Sequence, residues 1–292
     1  MLIDVVIPAC GRCSELERCL RALPTEASII VTDDSRDDSV REMLAARFPR
    51  VRWVAGPRRG PAANRNNGAR AASKEWIVFL DDDCIPQPGW LAAFAAHEDA
   101  EVIEGRTVCP DASDNPFTEQ VENLAGDNFW SCNLAIRRSV FFDLGGFDED
   151  FTEAAGEDME FAWRIRQRGL KTAFVPEAEV LHPARPPSLA RFWRRTWMIR
   201  WMVLYRLKTG QSPAAGASAL RIYGGAVRRE ITGLLRLTAQ VFTRPDRRRP
   251  HTQIINVVHH WLTFPAVLCW QLLWERRFRK TSSAPRSCPT SA

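Results

Sequence analysis

Three aspartates in a row, Asp81-Asp82-Asp83, follow the apolar run Trp76-Ile77-Val78-Phe79-Leu80. Adjacent carboxylates repel one another, so a cation is expected near a buried strand that ends on them. Hard divalent ions such as Mg2+ and Mn2+ take oxygen ligands, keep open positions and share their shell with substrate phosphates. In open α/β sheets ligands sit beyond the carboxyl ends of the strands, which is where this run ends. The chemistry implied is metal-assisted catalysis on a phosphorylated or nucleotide-linked substrate; the plain alternative is a solvated acidic turn. A second acidic pair, Glu157-Asp158, follows Gly156 at the start of a helical segment. Carboxylates there either act on a substrate proton or simply complement the helix macrodipole, which would itself weaken them as bases unless desolvation worked against it. His182, ahead of Pro183, is either a ligand or an ordinary surface histidine.

The elements that must position these groups follow a β-α-β-α-β rhythm. Residues 2–8 read as a buried strand closed by Pro8, and 14–23 as a helix with Ser14 as N-cap and Glu17 as its capping-box partner. The strand 28–32 ends on Asp33-Asp34, a helix covers 37–47, and a short strand covers 51–54. The stretch from Gly60 to Gly68 leads into a helix through Ala72, and strand 76–80 delivers the triple aspartate. The fold class is therefore α/β, a Rossmann-like, mostly parallel sheet flanked by helices. No GxGxxG follows the first strand, so the dinucleotide fingerprint is missing. A turn at Gly145-Gly146-Phe147-Asp148-Glu149 precedes a helix from Gly156 to Gly169, and 172–176 and 179–182 read as closing strands.

The chain of 292 residues, 45% hydrophobic with a mean hydropathy of −0.26, has the composition of a globular protein. Its net charge of +5 conceals an asymmetry: residues 1–182 carry 20 Lys+Arg against 32 Asp+Glu, and residues 183–292 carry 20 against 3. The change falls at the proline-rich stretch 182–187. The expected organisation is a catalytic domain over 1–185, a helical basic and aromatic extension over 186–280, and a disordered tail over 281–292. Met1 leads straight into an apolar strand with no secretory signal, so a cytoplasmic placement is expected. The eight cysteines show no disulfide framework; Cys10-Gly11-Arg12-Cys13 reads as incidental reduced thiols rather than a redox pair.

In order along the chain stand Val5-Val6-Ile7-Pro8-Ala9, Val31-Thr32-Asp33-Asp34-Ser35, Gly60 with Arg65-Asn66-Asn67-Gly68, and Phe79-Leu80-Asp81-Asp82-Asp83. Asn133 before Arg137-Arg138, Gly145-Gly146-Phe147-Asp148-Glu149, Gly156-Glu157-Asp158, and Val175-Pro176-Glu177-Ala178 with His182 complete the series. Together they resemble glycosyltransferase family 2 on the GT-A fold, over roughly residues 2–185. The resemblance implies an inverting enzyme that moves a sugar from a nucleotide-diphospho-sugar to an acceptor hydroxyl. It implies that Asp33 or Asp34 meets the base, that Asp81 meets the ribose, and that Asp83 ligates a Mg or Mn ion bridging the two phosphates. His182 would reach the metal or the diphosphate, Asp158 would be the general base, and Glu157 would orient the site. Pro8, Asp82 and Asn133 lie in matching blocks and are placed with the nucleotide sugar. Arg65 and Asn66 open a helix and either meet phosphate or hold loop geometry; Arg137-Arg138 reads as a solvated charge pair.

Residues 191–208 interleave arginine and tryptophan. On a helical projection Trp193, Trp197, Trp201 and Leu204 lie together, and Arg191, Arg195 and Arg206 share another strip. Such a pattern suits an anionic membrane surface or a helix packed on the acidic half. Processive relatives carry Gln-x-x-Arg-Trp here, and this chain has Trp197 in place of the glutamine, which speaks against processive synthesis. Residues 254–274 are apolar but interrupted by Asn256, His259, His260, Pro265 and Gln271, which favours a buried or interfacial helix over a lipid-exposed span. No nucleic-acid-binding pattern accompanies the arginines. The partners expected are a nucleotide-sugar donor, a glycan or lipid-linked acceptor, and the inner face of the cell membrane, without nucleic acid. The rivals are a nucleotidyltransferase and a non-catalytic nucleotide-sugar or membrane-surface binding protein.

Overall fold

The computed structural model describes residues 1–113, 115, 117–211, 219–243 and 250–281. They divide into two compact units: Met1–Ala112 with Gln120–Arg185, and Ser113–Glu119 with the described residues from Pro186 onward. The first unit contains β1 (Ile3–Ala9), α1 (Cys13–Ala22), β2 (Ser28–Asp33), α2 (Ser39–Arg47), β3 (Arg52–Ala55), α3 (Pro61–Ala71) and β4 (Trp76–Leu80). It continues with β5 (Ile85–Pro86), α4 (Trp90–Ala95), β6 (Val102–Val108), β7 (Asn133–Arg137), α5 (Arg138–Asp143), α6 (Glu157–Gln167) and β8 (Thr172–Leu181).

The eight strands form one sheet in the order β3-β2-β1-β4-β7-β6-β8-β5. β3, β2, β1 and β4 run parallel, with Val5 opposite both Ile29 and Val78, and β7 joins β4 antiparallel, with Asn133 opposite Leu80. β1 therefore has β2 on one side and β4 on the other. The crevice beyond the carboxyl ends of β1 and β4 is the switch point where open α/β sheets bind ligands. The central strands are buried on both faces, which is why they read as unbroken apolar runs. Val5, Ile7, Val31, Val78 and Leu80 meet Leu16, Leu20, Trp90 and Phe94 on one side; Val6, Ile30, Ile77 and Phe79 meet Phe141, Phe147, Phe161 and Ile165 on the other. Each such side chain contributes about 1.5–3 kcal/mol on full burial. At Gly68 a Cβ would stand 2.4 Å from Val6 Cγ1, so only glycine lets α3 lie this close to β1.

Several local expectations change. α1 begins at Cys13 with Arg12 as its N-cap, and the Ser14 hydroxyl bonds Glu15 instead of capping. The two closing strands are one, β8. β6 and β7 are additional strands, and the loop between them is pinned by buried Glu104. Its carboxylate accepts the backbone N–H groups of Asp127 at 2.7 Å, Asn128 at 2.9 Å and Phe129 at 2.6 Å. These bonds hold Asp127 and Phe129 at φ 67° and 53°, conformations that cost of order 1–3 kcal/mol each.

The second unit holds α7 (Leu189–Trp197), α8 (Ile199–Lys208), α9 (Ala219–Thr243) and α10 (Pro250–Thr281). The segment Ser113–Glu119 belongs with it: the Phe117 ring packs edge-on against Phe192 at 4.9 Å, and Ser188 N–H donates to the Phe117 carbonyl at 3.1 Å. α10 packs against α8 and α9. Among the described residues no helix is long and apolar enough to cross a membrane. The tail expected to be disordered lies, from 282 onward, outside the described residues.

Candidate active site

Gly156 takes a left-handed φ of 89°, a conformation open to glycine, and so turns the chain into α6 with Glu157 and Asp158 in its first turn. α3 supplies Arg65, whose Nη2 donates to Asp81 Oδ1 at 2.8 Å and whose Nη1 donates to Glu157 Oε1 at 3.3 Å. Asp158 is close enough to add its charge to the same guanidinium, so three carboxylates share one buried cation. Burial pushes Glu157 up to about 8, with the Asp158 charge adding to the shift and Arg65 opposing it. Burial also raises the Asp158 carboxyl, again against Arg65. Desolvation thus outweighs the helix dipole, which would have made Asp158 a weaker base. Among the described residues, Glu157 Oε2 and Asp158 Oδ1 are buried with no hydrogen-bond partner. Both oxygens have lone pairs to offer a substrate hydroxyl.

The next two aspartates are held by cations. Arg12, from the loop after β1, donates one guanidinium nitrogen to Asp82 and the other to Asp83. Arg185 Nη2 donates to Asp83 Oδ2 at 3.2 Å, and His182 Nε2 lies 3.6 Å from Asp83 Oδ1. Burial opposes ionisation of Asp83, yet His182, Arg12 and Arg185 hold its carboxyl below the usual range. Asp82, with less help, is pushed by burial up to about 7. Asp83 Oδ1 is a buried oxygen without a hydrogen bond among the described residues. Asp83, Cys84 and His182 offer atoms within 4.8 Å of one another. A carboxylate with an unbonded oxygen facing an imidazole is a donor pair that fits a divalent cation. Cys84 is the weaker third donor, since burial in the core holds its thiol protonated.

At the end of β2, Asp33 is already engaged: its Oδ1 accepts Ser35 N–H at 2.9 Å and its Oδ2 accepts Trp53 Nε1–H at 3.1 Å. Asp34 accepts Arg58 N–H at 2.7 Å and is raised by burial. Pro8, opposite Thr32, is the last residue but one of β1, beside them. Behind both strands Asn64 donates to the carbonyls of Ala9 at 3.3 Å and Thr32 at 3.0 Å.

Two residues expected at the nucleotide sugar, Asn66 and Asn133, make their hydrogen bonds inside the fold. Asn66 donates to the Phe147 carbonyl at 2.8 Å and accepts Phe147 N–H at 2.9 Å, clamping the glycine turn. Asn133 donates to the Arg106 and Ala178 carbonyls at 2.9 and 2.8 Å and accepts Trp90 Nε1–H at 2.8 Å. Both amides spend their donors inside the fold and have none for a ligand. Arg137 and Arg138 are likewise not merely solvated: Arg137 donates to the Glu98 carbonyl at 2.6 Å and Arg138 to the Ala72 carbonyl at 3.0 Å. Arg12, Arg185 and Asn64 went unread in the sequence. Arg12 sits inside the segment read for its thiols, and Cys10 and Cys13 are both free. Arg185 follows His182 by three residues, a spacing that gave the one available hint. A cavity of about 870 Å³ lined by Leu2, Ile3, Ala27 and Ser28 lies at the opposite, amino-terminal ends of β1 and β2.

With this geometry the chain compares as follows. Residues 4–144 match the model of the family described as "Glycosyl transferase family 2", and residues 76–275 match "Glycosyl transferase family group 2". A "Pre-mycofactocin glycosyltransferase" of Mycobacterium tuberculosis is 27% identical over 203 residues, 63% of this chain and 43% of the relative. A "Validoxylamine A glucosyltransferase" of Streptomyces hygroscopicus is 29% identical over 220 residues, 58% of this chain and 49% of the relative. The chain thus spans about half the length, or less, of these curated relatives. The solved structure of a mannosyltransferase from Pyrobaculum calidifontis in complex with GDP-Man and Mn2+ superposes with a TM-score of 0.58. It covers 94% of this chain and 86% of that one at 17% identity, a likeness of fold. The sheet is that of the GT-A fold, and the chain belongs to the family 2 glycosyltransferases.

Proposed function

We propose that the protein transfers a sugar from a nucleotide-diphospho-sugar to an acceptor hydroxyl with inversion at the anomeric carbon. The observation that carries this reading is the convergence of Asp81, Glu157 and Asp158 on buried Arg65, next to the Asp83–His182 pair in the β1/β4 crevice. Asp158, raised by burial, takes the acceptor proton as the oxygen attacks the anomeric carbon. Glu157, held near neutrality, accepts from or donates to the acceptor and shares Arg65 with Asp81. Arg65 fixes the mutual placement of the three carboxylates, and Asp81 keeps one oxygen for the ribose. Asp34 is the acid left for the base, since Asp33 is bonded to Ser35 and Trp53. Asp83 and His182 would hold a divalent cation, Mg or Mn, which when bound neutralises the diphosphate leaving group. Arg12 and Arg185 balance the Asp82 and Asp83 charges. One carboxylate acting as base implies a single displacement, hence inversion.

The acceptor that the basic second unit supports is a lipid-linked or cell-envelope glycan at the anionic inner face of the membrane. The test is incubation with a panel of nucleotide sugars, with mass spectrometry of products and NMR coupling constants of the new linkage. A nucleoside diphosphate released with a glycosylated or hydrolysed sugar of inverted configuration is expected. Pyrophosphate release, retention of configuration, or binding of every donor without turnover overturns the reading.

A further inference from the structure

The tryptophans that the sequence offers to a membrane are largely used inside the second unit. The Arg200 guanidinium lies over the rings of Trp197 and Trp201, 4.7 Å from each centroid, and over Trp274 at 5.5 Å; Trp201 is only 4% exposed. Leu189 and Trp193 of α7 stay exposed, but among the described residues of this unit most of the large apolar side chains left on the surface lie on α9 and α10. On α10 these are Ile254, Val258, Trp261, Leu262 and Leu273, with Leu262 69% exposed. At 100° per residue they fall within an arc of about 120°, along about 28 Å of helix. On α9, Ile231 and Leu235 are also exposed and lie one turn apart. Trp261 Nε1 donates to Thr238 Oγ1 of α9 at 3.1 Å, and on the projection Thr238 lies within about 60° of Ile231 and Leu235. The two stripes therefore adjoin at Trp261 and make one apolar surface across both helices, larger than the scattered leucines of an ordinary exterior.

The charge around this surface selects its occupant. Exposed Arg228 shares the α9 stripe and exposed Arg276 closes the α10 stripe. Residues 183–292 as a whole carry 20 basic against 3 acidic side chains. A second copy meeting this face would bring like charges together, whereas anionic lipid headgroups match them. α10 is too polar to cross a bilayer and has its other side packed on α8 and α9, which is the disposition of a helix lying in the interface.

We infer that the α9–α10 stripe, and not the Trp193–Trp197–Trp201 face, is the surface by which this unit docks on an anionic lipid bilayer. The inference rests on the membrane-acceptor reading above and adds where that contact is made. The test is sedimentation of the full chain with vesicles of one part phosphatidylglycerol to three parts phosphatidylcholine, and of phosphatidylcholine alone, at low and high salt. The wild type binds the anionic vesicles, more weakly in high salt. Val258→Asp/Leu262→Asp weakens that binding at least tenfold, and the milder Val258→Ser/Leu262→Ser by several-fold. Trp193→Ala changes it less than twofold, and donor turnover with circular dichroism stays unchanged in all three. A wild type that remains in the supernatant removes the membrane reading and this surface with it. Vesicle binding untouched by the Val258 and Leu262 variants leaves the membrane reading standing and overturns the surface alone. A wild-type dimer in sedimentation velocity that the same variants dissociate assigns the stripe to a second copy and overturns the inference.

Discussion

Among the described residues two arginines are buried, one in each unit, and different groups gather around them. Arg65 is surrounded by carboxylates: Asp81 and Glu157 bond it and Asp158 adds its charge. Arg200 is surrounded by ring faces of Trp197, Trp201 and Trp274. Burial raises the Glu157 and Asp158 carboxyls and the cation between them opposes that rise, so their protonation answers to Arg65. Ring faces attract the cation through their quadrupole and titrate nothing. The first arrangement is suited to chemistry and the second to holding helices together.

The largest effects are expected where the carboxylates act. Asp158→Asn keeps the shape and loses the base, so transfer falls by about 10²-fold or more. Donor binding, read by calorimetry, persists. Near wild-type transfer by a folded Asp158→Asn protein removes the base assignment. Asp83→Ala removes the carboxylate partner of His182, and chelation by EDTA reproduces its loss in the wild type. Mn2+ or Mg2+ restores the chelated wild type and not the variant; full activity in EDTA contradicts the cation site.

The two arginines can be set against each other directly. Arg65→Met leaves buried Glu157, with Asp81 and Asp158 beside it, without their cation, a change worth about 3–5 kcal/mol in stability. Arg200→Met replaces a cation over tryptophan with a polarizable side chain of similar length, at about 0.5–2 kcal/mol. Urea unfolding measures both, and donor turnover separates them further. The Arg65 variant loses turnover at least a hundredfold, and the Arg200 variant keeps it within twofold. Equal losses in the two would erase the distinction between a charged and an aromatic cage.

The sequence made the parallel half of the sheet legible because β1, β2 and β4 are buried on both faces and spell continuous apolar runs. β6 and β7 were not legible. Glu104 and Arg106 break the apolar run of β6, and only the folded loop shows that Glu104 is buried to bind Asp127, Asn128 and Phe129. The acidic residues stand out because their order and spacing are local properties of the chain. Arg12 and Arg185 gain meaning only when two distant loops close on Asp83, and no local pattern marks them. Asn66 and Asn133 stand in blocks that suggest ligands, while the hydrogen bonds they make to Phe147 and Ala178 depend on distant segments that no local pattern announces. The helical projection grouped Trp193, Trp197 and Trp201, but which of them is covered depends on Trp274, some seventy residues further along.

A pH profile tests whether Glu157 keeps its raised pKa beside Arg65. Glu157 is raised by burial from 4.5 to about 8. Between these values the folded protein keeps a proton that the unfolded chain releases. Stability from this group is therefore fully present below pH 4.5 and is lost as pH rises through about 8. Glu157→Gln removes the titration while keeping an oxygen for the Arg65 Nη1 hydrogen bond. The difference in thermal midpoint, variant minus wild type, should climb steadily across that window and level off above it. Arg200→Met, in the other unit, leaves Glu157 untouched and gives a difference that stays flat over the same range. A flat difference for Glu157→Gln would mean that Glu157 ionises freely beside Arg65. The charged cage would then be no more than a structural ion pair, and the contrast with Arg200 would reduce to one of energy alone.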